Sequence, residues 1–579
     1  MMQNQERQIL DGTTAAPRSA ALAWSDALAA TASIEQNPQR LLADIIFARA
    51  ETHGSAPALL SDKESFTFSQ LAARIGTYQE WAHARGLGKG AVVALMMANR
   101  PDYVAAWLGL SRAGVVVALV NTSLRGEGLA HALRVAEASH VIVDAELREH
   151  VSNLSLPISL ESAPPSAAPG ILPSAGVVVS DRALLIYTSG TTGLPKASVV
   201  SHRRVLNWAL WFKGLLGDTE VDRMYNCLPL YHSVGGVVAV AATLAAGGST
   251  VIAGKFSASN FWNDIRRWEC TQFQYIGELC RYLMAQPASD RDGEHNLRLA
   301  VGNGLRADIW PEFVKRFRIP QVVEFYAATE GTFSLYNVQG PVGSIGKIPS
   351  FLRHRFKVAL VKHDESTGQP LRGADGLCIA VKPEEAGEAI GYIANPAQFE
   401  GYTDANESAR KVLRNVFEAG DAWFRTGDMM RTDKAGNFFF VDRIGDTFRW
   451  KGENVSTLEV ANALSQISGI KDAVVYGVNV PKADGKAGMA YLETDENFSL
   501  ADFAARAKAA LPTYAVPLFL KLGGEAQVTE TFKHKKNELA AAGFDPAKSD
   551  AVLYVLLNGA YRKLDQAVYQ QLQSGQIKL

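Results

Sequence analysis

The sequence has few cysteines and no excess of either charge. Only four of its 579 residues are cysteine, and no two of them stand in a C-x-x-C or similar metal-ligand spacing. This excludes a dense disulfide framework and a cysteine-ligated zinc site as the basis of the fold, and it favours a reducing compartment. With 58 basic and 59 acidic residues the formal net charge is −1. Nothing in the charge balance therefore indicates nucleic-acid binding.

A continuous apolar segment long enough to cross a membrane is also missing. The stretch between Arg223 and Lys255 carries no charged residue, but Pro229, His232 and several Gly and Ser interrupt it. Its purely apolar part, 237–242, is far shorter than the roughly 20 residues of a spanning helix, so we expect a buried helix there. The N-terminal residues carry charges and no apolar export core, so no signal peptide is predicted. We expect a cytoplasmic protein, or one attached peripherally to the inner face of a membrane.

From about residue 65 the sequence alternates short apolar runs with helix-like segments. The runs 91–97 (AVVALMM), 114–120 (GVVVALV) and 140–145 (HVIVDA) have the length of strands. The segments between them, PDYVAAWLGLSRA and GEGLAHALRVAEA, have the spacing of helices. Strands that are apolar on both faces and alternate with helices predict an α/β fold, with mostly parallel sheets covered by helices.

Beyond about residue 440 the pattern changes. A capped amphipathic helix (STLEVANALSQISG), a strand (KDAVVYGV) and another helix (LADFAARAKAAL) follow one another. They predict a small, mobile C-terminal α+β domain of roughly 130 residues. We expect a large N-terminal domain over residues 1–442, a hinge at 443–445 and the small domain over 446–579. Residues 150–180 are rich in Ser, Pro and Ala and are predicted to form a surface connection.

The most informative motif follows the apolar strand 183–187. It reads Thr188-Ser189-Gly190-Thr191-Thr192-Gly193-Leu194-Pro195-Lys196. Glycines let backbone N–H groups approach phosphate oxygens, hydroxyls donate hydrogen bonds and a lysine supplies charge. The string is not a Walker motif, because Gly190 and Gly193 are too close and no Ser or Thr follows Lys196. We predict a phosphate-binding loop rather than an ordinary glycine-rich turn.

This string resembles the phosphate loop of the adenylate-forming superfamily, which includes acyl- and aryl-CoA synthetases. Further segments resemble motifs of that superfamily in the same order: Tyr326-Ala327-Ala328-Thr329-Glu330-Gly331, Arg425-Thr426-Gly427-Asp428, Asp442-Arg443, Lys451-Gly452-Glu453-Asn454 and Thr531-Phe532-Lys533. The strings CLPLYHSVGG, GNGLRADIW and FVDRIGDTFRWKGENVST are similar to those of the fatty-acid transport proteins, which are also very-long-chain acyl-CoA synthetases. One position departs, since Gly445 stands where many relatives outside this branch carry Asp or Lys.

The resemblance implies a role for each motif residue. A carboxylic acid is already ionised at neutral pH, so joining it to ATP requires charge neutralisation rather than a general base. Lys533 would bridge the carboxylate and the α-phosphate, Glu330 would hold Mg²⁺ and Thr329 would donate to the α-phosphate. The implied binding residues are Thr188, Ser189, Gly190, Thr191, Thr192, Gly193 and Lys196 for phosphate, Tyr326, Gly302, Asn303 and Gly304 for adenine, Asp428 and Arg443 for ribose, and Lys451, Gly452 and Glu453 for coenzyme A. His232 is a further catalytic candidate, although it could equally line the acyl pocket or be a hydrogen-bonded interior histidine.

The resemblance thus implies a long-chain or very-long-chain fatty acid–CoA ligase that forms acyl-AMP and then acyl-CoA. ATP, Mg²⁺, coenzyme A and a fatty acid are the expected ligands. The alternatives are a ligase for another hydrophobic acid (a bile acid, a sterol side chain, a medium-chain or a carnitine-type acid), adenylation for a carrier protein, and a membrane-associated fatty-acid uptake protein. The sequence shows no carrier domain and no spanning segment, which disfavours the last two.

Overall fold

The computed structural model of this chain describes residues 18–154, 156–164, 172–174, 176–189, 195–364, 367–395, 399–451, 453–481, 483, 485–524, 536–577 and 579. These residues divide into two compact units. The first holds the described residues up to Arg353 together with Ile393–Val412, and the second holds His354–Tyr392 together with Leu413–Leu579. Residues 354–392 and 413–442 thus group with the C-terminal part of the chain, whereas the sequence analysis assigned them to the large domain. The hinge at 443–445 stays a prediction.

A six-stranded sheet of the first unit carries the phosphate motif. Its strands, in spatial order, are Ser159–Glu161, His140–Val143, Val92–Met96, Val116–Leu119, Arg182–Ser189 and Pro195–Ser201. All neighbouring strands are parallel except the last pair. The predicted parallel strands are therefore confirmed. Strand Ser159–Glu161 lies within the segment that was predicted to be a surface connection, so that prediction was wrong for these three residues.

A second, eight-stranded sheet belongs to the same unit. Its strands, in spatial order, are Ser334–Asn337, Val322–Ala327, Leu299–Asn303, Gln272–Ile276, Arg223–Asn226, Ser249–Ile252, Pro57–Leu60 and Ser65–Thr67. The six central strands are parallel and the strand at each edge is antiparallel. The first unit thus contains two separate, mostly parallel sheets, in agreement with the predicted α/β fold.

Helices alternate with these strands, and their apolar residues join the strands in common cores. The helices of the first unit are Ala20–Thr31, Leu42–His53, Phe68–Ala84, Pro101–Arg112, Gly126–Val135, Arg148–Ser152, His202–Leu216, Ala239–Ala246, Phe261–Arg267, Gly277–Met284, Trp310–Phe317 and Ala405–Arg410. The uncharged stretch forms a π-helical segment, Ser233–Val238, followed by a helix whose eight residues are all buried. Within the described part of the chain, no helix combines the length and the apolar character needed to cross a bilayer.

The second unit begins with a five-stranded sheet formed by Val358–Val361, Gly387–Tyr392, Ala422–Thr432, Val412–Arg414 and Phe438–Arg443. A hairpin, Phe448–Trp450 with Glu453–Val455, leads into the C-terminal part. There a sheet ordered Ile470–Asn479, Lys486–Thr494, Phe519–Gly523, Val552–Leu557 and Ala560–Lys563 packs with helices Thr457–Ser465, Leu500–Ala510, Lys536–Ala542 and Gln566–Ser574. The helix, strand and helix predicted for this α+β part are confirmed, and Ser456 caps the first helix by accepting from the Glu459 N–H.

Candidate active site

Several predicted nucleotide-binding residues lie at the carboxyl ends of parallel strands. Thr188 and Ser189 end strand Arg182–Ser189, and Gly190, Thr191, Thr192 and Gly193 lie outside the described residues. In the eight-stranded sheet, Gly302 and Asn303 end one strand, and Tyr326 lies near the end of its parallel neighbour. Ligands of open α/β sheets bind outside the carboxyl ends of the strands. The fold thus presents these residues where a nucleotide is expected.

Glu330 follows the strand of Tyr326 and is nearly enclosed, with its side chain 10% exposed. Its Oε1 accepts a 2.6 Å hydrogen bond from the Tyr402 hydroxyl and lies 3.8 Å from Lys411 Nζ. The side chain of Thr188, at the end of strand Arg182–Ser189, lies beside the Tyr402 hydroxyl. The structure thus brings the first residue of the phosphate motif and the predicted magnesium ligand to one tyrosine.

Thr329, the residue before Glu330, is held at both its side chain and its backbone. Its hydroxyl lies 3.2 Å from the Ser233 hydroxyl, and its carbonyl accepts a hydrogen bond from the Arg204 guanidinium. Arg204 in turn pairs with Glu400 at 3.4 Å. These contacts fix the hydroxyl that we predict to donate to the α-phosphate.

Lys196, the last residue of the phosphate motif, forms an ion pair. Its Nζ lies 2.5 Å from Glu407 Oε2, and both side chains are 19% exposed. Glu407 lies on the short helix Ala405–Arg410, directly after Tyr402 in the chain. In this structure the lysine is thus bound to a carboxylate, and its contact with phosphate stays a prediction.

The segment Gly302–Gly304, which is predicted to bind adenine, is closely packed. A Cβ at Gly302 would lie 2.2 Å from the Tyr275 carbonyl oxygen, and one at Gly277 would lie 1.6 Å from the Gly304 carbonyl oxygen. Both positions therefore require glycine. The side-chain oxygen of Asn303 is buried and has no hydrogen-bond partner among the described residues. A buried unpaired acceptor is costly in a folded protein, so Asn303 suits a donor from a ligand.

Glu324 is hydrogen-bonded to the backbone at Gly304, one of the residues predicted to bind adenine. Its buried carboxyl accepts hydrogen bonds from the Gly304 and Leu305 N–H groups and, at 2.5 Å, from the Tyr275 hydroxyl. Burial outweighs these bonds and raises the pKa of Glu324 to about 8. Sequence analysis did not identify this residue, because nothing in the string VVEFYAATE distinguishes a buried acid from a solvated one.

We expect a Glu324→Gln variant to reduce the pH dependence of stability. Glutamate in an unfolded chain titrates near pKa ~4.3, so between that value and about 8 the folded protein keeps a proton that the unfolded chain has released. Stability therefore falls as the pH rises through this range, by at most roughly 1.4 kcal/mol per pH unit. Chemical denaturation at mildly acidic and mildly alkaline pH measures this fall, which should be smaller in the variant.

The exposed Glu312→Gln change is the matched control, and it should leave the slope of stability against pH unaltered. Burial also raises the pKa of Asp218, to about 7, and this second contribution is present in every protein compared. Equal slopes for Glu324→Gln and the wild type would contradict a protonated Glu324.

Tyr326 and His232 are both partly buried beside aromatic rings. The Tyr326 ring centroid lies 5.9 Å from that of Phe333, and the His232 ring lies 4.6 Å from that of Tyr231. His232 also precedes the π-helical segment Ser233–Val238, where its carbonyl accepts from the Gly236 N–H. Stacking of Tyr326 on adenine and the three alternatives for His232 stay predictions.

The predicted ribose-binding residues meet in the second unit. Asp428 and Arg443 are directly opposite each other on neighbouring strands, with Arg443 Nε 3.8 Å from Asp428 Oδ1. Gly427 lies inside strand Ala422–Thr432 with φ +78°, and the Asp428 N–H donates to the Thr426 hydroxyl. The carboxylate can accept hydrogen bonds from two ribose hydroxyls, and the neighbouring guanidinium can donate hydrogen bonds to them.

Two of the residues predicted to meet coenzyme A lie at the turn of the hairpin in the second unit. Lys451 and Glu453 are exposed there, and Lys451 has a positive φ of +51°. Gly452 and Lys533 lie outside the described residues. Their roles in pantetheine binding and adenylate formation stay predictions.

The carboxylate of Glu330 suits a magnesium ion that is held by few protein ligands. Within the described residues, no three His, Cys, Asp or Glu side chains gather as a metal site. Mg²⁺ is usually held by one or two carboxylates together with substrate phosphates rather than by a cage of protein ligands. Glu330 offers one such carboxylate near the end of the phosphate-motif strand.

Comparison with known proteins agrees with this geometry. The family described as "AMP-binding enzyme" matches residues 46–403. Long-chain fatty acid transport protein 1 of Mus musculus is 40% identical over 547 residues, which cover 89% of this chain and 84% of that protein. A benzoate CoA ligase from Burkholderia xenovorans LB400 superposes with a TM-score of 0.74 at 20% identity, covering 86% of this chain and 100% of the ligase. O-succinylbenzoate coenzyme A synthetase from Bacillus subtilis, in complex with ATP and magnesium ion, superposes with a TM-score of 0.69 at 22% identity over 86% of this chain and 98% of that one.

Proposed function

Because this chain belongs to the AMP-binding enzyme family, and within it to the family of the long-chain fatty acid transport proteins, we propose that it is an AMP-forming ligase that joins a long-chain or very-long-chain fatty acid to coenzyme A. The observation that carries the proposal is that the Tyr402 hydroxyl donates to Glu330 and lies beside Thr188 at the end of the phosphate-motif strand. Hydroxyls beside a single carboxylate suit a nucleoside triphosphate bound with Mg²⁺.

In the first half-reaction the fatty-acid carboxylate attacks the α-phosphorus of ATP, and pyrophosphate leaves. Two anions must approach each other, so the barrier depends on positive charge and hydrogen-bond donors around the α-phosphate. We assign Thr329 as a donor to that phosphate and Lys533 as the bridge between carboxylate and phosphate. Glu330 would hold Mg²⁺, which supplies further neutralisation of the phosphate charge when bound.

In the second half-reaction the sulfur of coenzyme A attacks the acyl carbonyl carbon of the adenylate, and AMP leaves. Lys451 and Glu453, which are exposed at the hairpin turn, and Gly452 between them in the sequence are our candidates for contact with the pantetheine arm. Asp428 and Arg443 would hold the ribose in both steps, and Tyr326 with Asn303 would hold the adenine. We further propose that the enzyme works in the cytoplasm or peripherally at a membrane.

The exchange of labelled pyrophosphate into ATP, measured across carboxylic acids from medium to very long chain, tests this function. We expect exchange to require the acid and to be fastest with long or very long chains, followed by acyl-CoA production when coenzyme A is added. Fastest exchange with a bile acid, a sterol side-chain acid, a carnitine-type acid or a medium-chain acid would instead identify another hydrophobic substrate. Exchange without acyl-CoA formation would favour a carrier protein as acceptor.

The alternative of a fatty-acid uptake protein without catalysis predicts a different result. Such a protein would show no exchange with any acid, yet its expression would still raise fatty-acid uptake into cells. A ligase would raise uptake only through trapping the acid as its thioester, so uptake should then depend on ATP and on the Glu330 carboxylate.

A further inference from the structure

The segment Gly401–Lys411 is hydrogen-bonded to strand Pro195–Ser201, which follows the phosphate motif in the chain. The sequence analysis gave this segment no role. The Val199 N–H donates to the Gly401 carbonyl at 3.0 Å, and the Thr403 N–H donates to the Ala197 carbonyl at 3.0 Å. Tyr402 thus pairs with Ser198 in an antiparallel bridge. This backbone pairing gives Tyr402 a defined position relative to strand Pro195–Ser201.

The Tyr402 side chain connects two predicted parts of the site. Its hydroxyl donates to Glu330 Oε1 at 2.6 Å and lies beside the Thr188 side chain. A tyrosine hydroxyl ordinarily titrates near pKa ~10. The phenol is therefore protonated at neutral pH and acts as a permanent donor to the carboxylate.

Two ion pairs reinforce this connection from the same segment. Lys411 Nζ lies 3.8 Å from Glu330 Oε1, and Glu407 binds Lys196 at 2.5 Å. Both the tyrosine and the lysine approach Oε1 of Glu330, which makes Oε2 the candidate atom for binding a cation. A carboxylate oriented in advance loses less entropy when it binds a metal, so such support strengthens binding.

We propose that Tyr402 is a positioning residue, which orients the Glu330 carboxylate for Mg²⁺ and ties it to the end of the phosphate-motif strand at Thr188. The proposal rests on the proposed function in assigning Glu330 to Mg²⁺. In this role Tyr402 acts through Glu330, so its effect should appear in metal dependence rather than in the choice of acid.

A full-length Tyr402→Phe variant tests this role, since it removes only the hydroxyl. We expect the free Mg²⁺ concentration at half-maximal pyrophosphate exchange to rise about tenfold, as for loss of a hydrogen bond to a charged group. Saturating Mg²⁺ should restore most of the rate. Electron paramagnetic resonance of Mn²⁺ with ATP and no acid should show affinity for Mn²⁺ weakened by a similar factor.

Tyr225→Phe is the matched control, because its hydroxyl donates to the Asp264 carboxylate at 2.9 Å in the same unit, apart from the predicted site residues. It should leave both metal measurements unchanged. In a Glu330→Gln background the effect of Tyr402→Phe on Mn²⁺ binding should largely disappear, because the two residues act through one bond.

Wild-type Mn²⁺ affinity in Tyr402→Phe, or an equal loss in Tyr225→Phe, would overturn the proposal. The same holds if Tyr402→Phe weakens Mn²⁺ binding as much without the Glu330 carboxylate as with it. Absence of exchange in the wild type with every acid would instead reject the proposed function. The Mn²⁺–ATP measurement still decides the role of Tyr402 in that case.

Discussion

A Lys533→Ala variant should lose adenylate formation by at least about a hundredfold, the usual scale for removing one group that stabilises charge in a transition state. The fatty-acid carboxylate and the α-phosphate are both anionic, and Lys533 is the residue proposed to lie between them. Thioester formation from acyl-adenylate supplied ready-made should be largely preserved, because the repulsion between the two anions has been overcome by then. Pyrophosphate exchange and acyl transfer, measured separately on one preparation, distinguish the two steps.

Lys548→Ala provides the control, since Lys548 is an exposed lysine of the same unit and should retain both half-reactions. Lys536 would be less suitable, because its Nζ donates to the Thr457 hydroxyl at 2.7 Å and its loss would disturb the helix that begins there. Equal losses of both half-reactions in Lys533→Ala would mean that the lysine is structural, or that another lysine does the bridging.

A Gly445→Pro variant should show the opposite pattern, with substantial adenylate formation but at least about tenfold slower thioester formation. Lys533 and the hairpin turn at 451–453 both lie after the proposed hinge, and both cannot face the same carbon at once. We therefore expect the small domain to rotate between the half-reactions, with a few backbone dihedrals absorbing the change. Gly445 has φ +100° here, whereas proline is restricted to about −65°. Proline at 445 therefore cannot adopt the backbone conformation seen here, and it should hold the small domain in one arrangement.

Alanine substitutions provide a matched comparison for this prediction. A Cβ at Gly445 or at Gly420 would meet no atom within 4 Å, and both glycines have positive φ, +100° and +88°. Gly445→Ala and Gly420→Ala should therefore cost similar stability, while only the change at 445 should alter the ratio of the two half-reactions. A parallel fall of both half-reactions in folded Gly445→Pro, or no change in either, would show that the hinge lies elsewhere.

Any such rotation must also accommodate the contacts around Asp442, which the sequence did not reveal. Its buried Oδ2 accepts from the Thr457 N–H at 2.5 Å, from the Thr457 hydroxyl at 2.9 Å and from the Leu458 N–H at 3.2 Å. A residue before the proposed hinge thus caps a helix after it. Acidic groups are favourable at helix N-termini. If the rotation breaks the hydrogen bonds of Asp442, their loss adds to the free-energy barrier of the rotation.

The local elements of this fold could be predicted because their signals are local. Strand Val92–Met96 and helix Pro101–Arg112 follow from a short apolar run and from a proline at the first turn of an apolar helical segment. The phosphate motif and the segments around Glu330 and Asp428 are contiguous strings, so their residue types can be read directly. Fold class and family were predictable for the same reason.

Tertiary structure alone decided which distant residues meet. Tyr402 and Glu330 are 72 positions apart, and Glu407 and Lys196 are 211 apart, yet each pair is in direct contact. Strand Ser159–Glu161 likewise forms because a neighbouring strand supplies its hydrogen bonds, although its own composition is typical of a loop. The sequence by itself determined strands such as Val92–Met96, helices such as Pro101–Arg112 and the chemistry of each motif, because these depend on neighbouring residues. The environment of Glu324 and Glu330 depends on burial and on partners from remote strands, which only the packed fold provides.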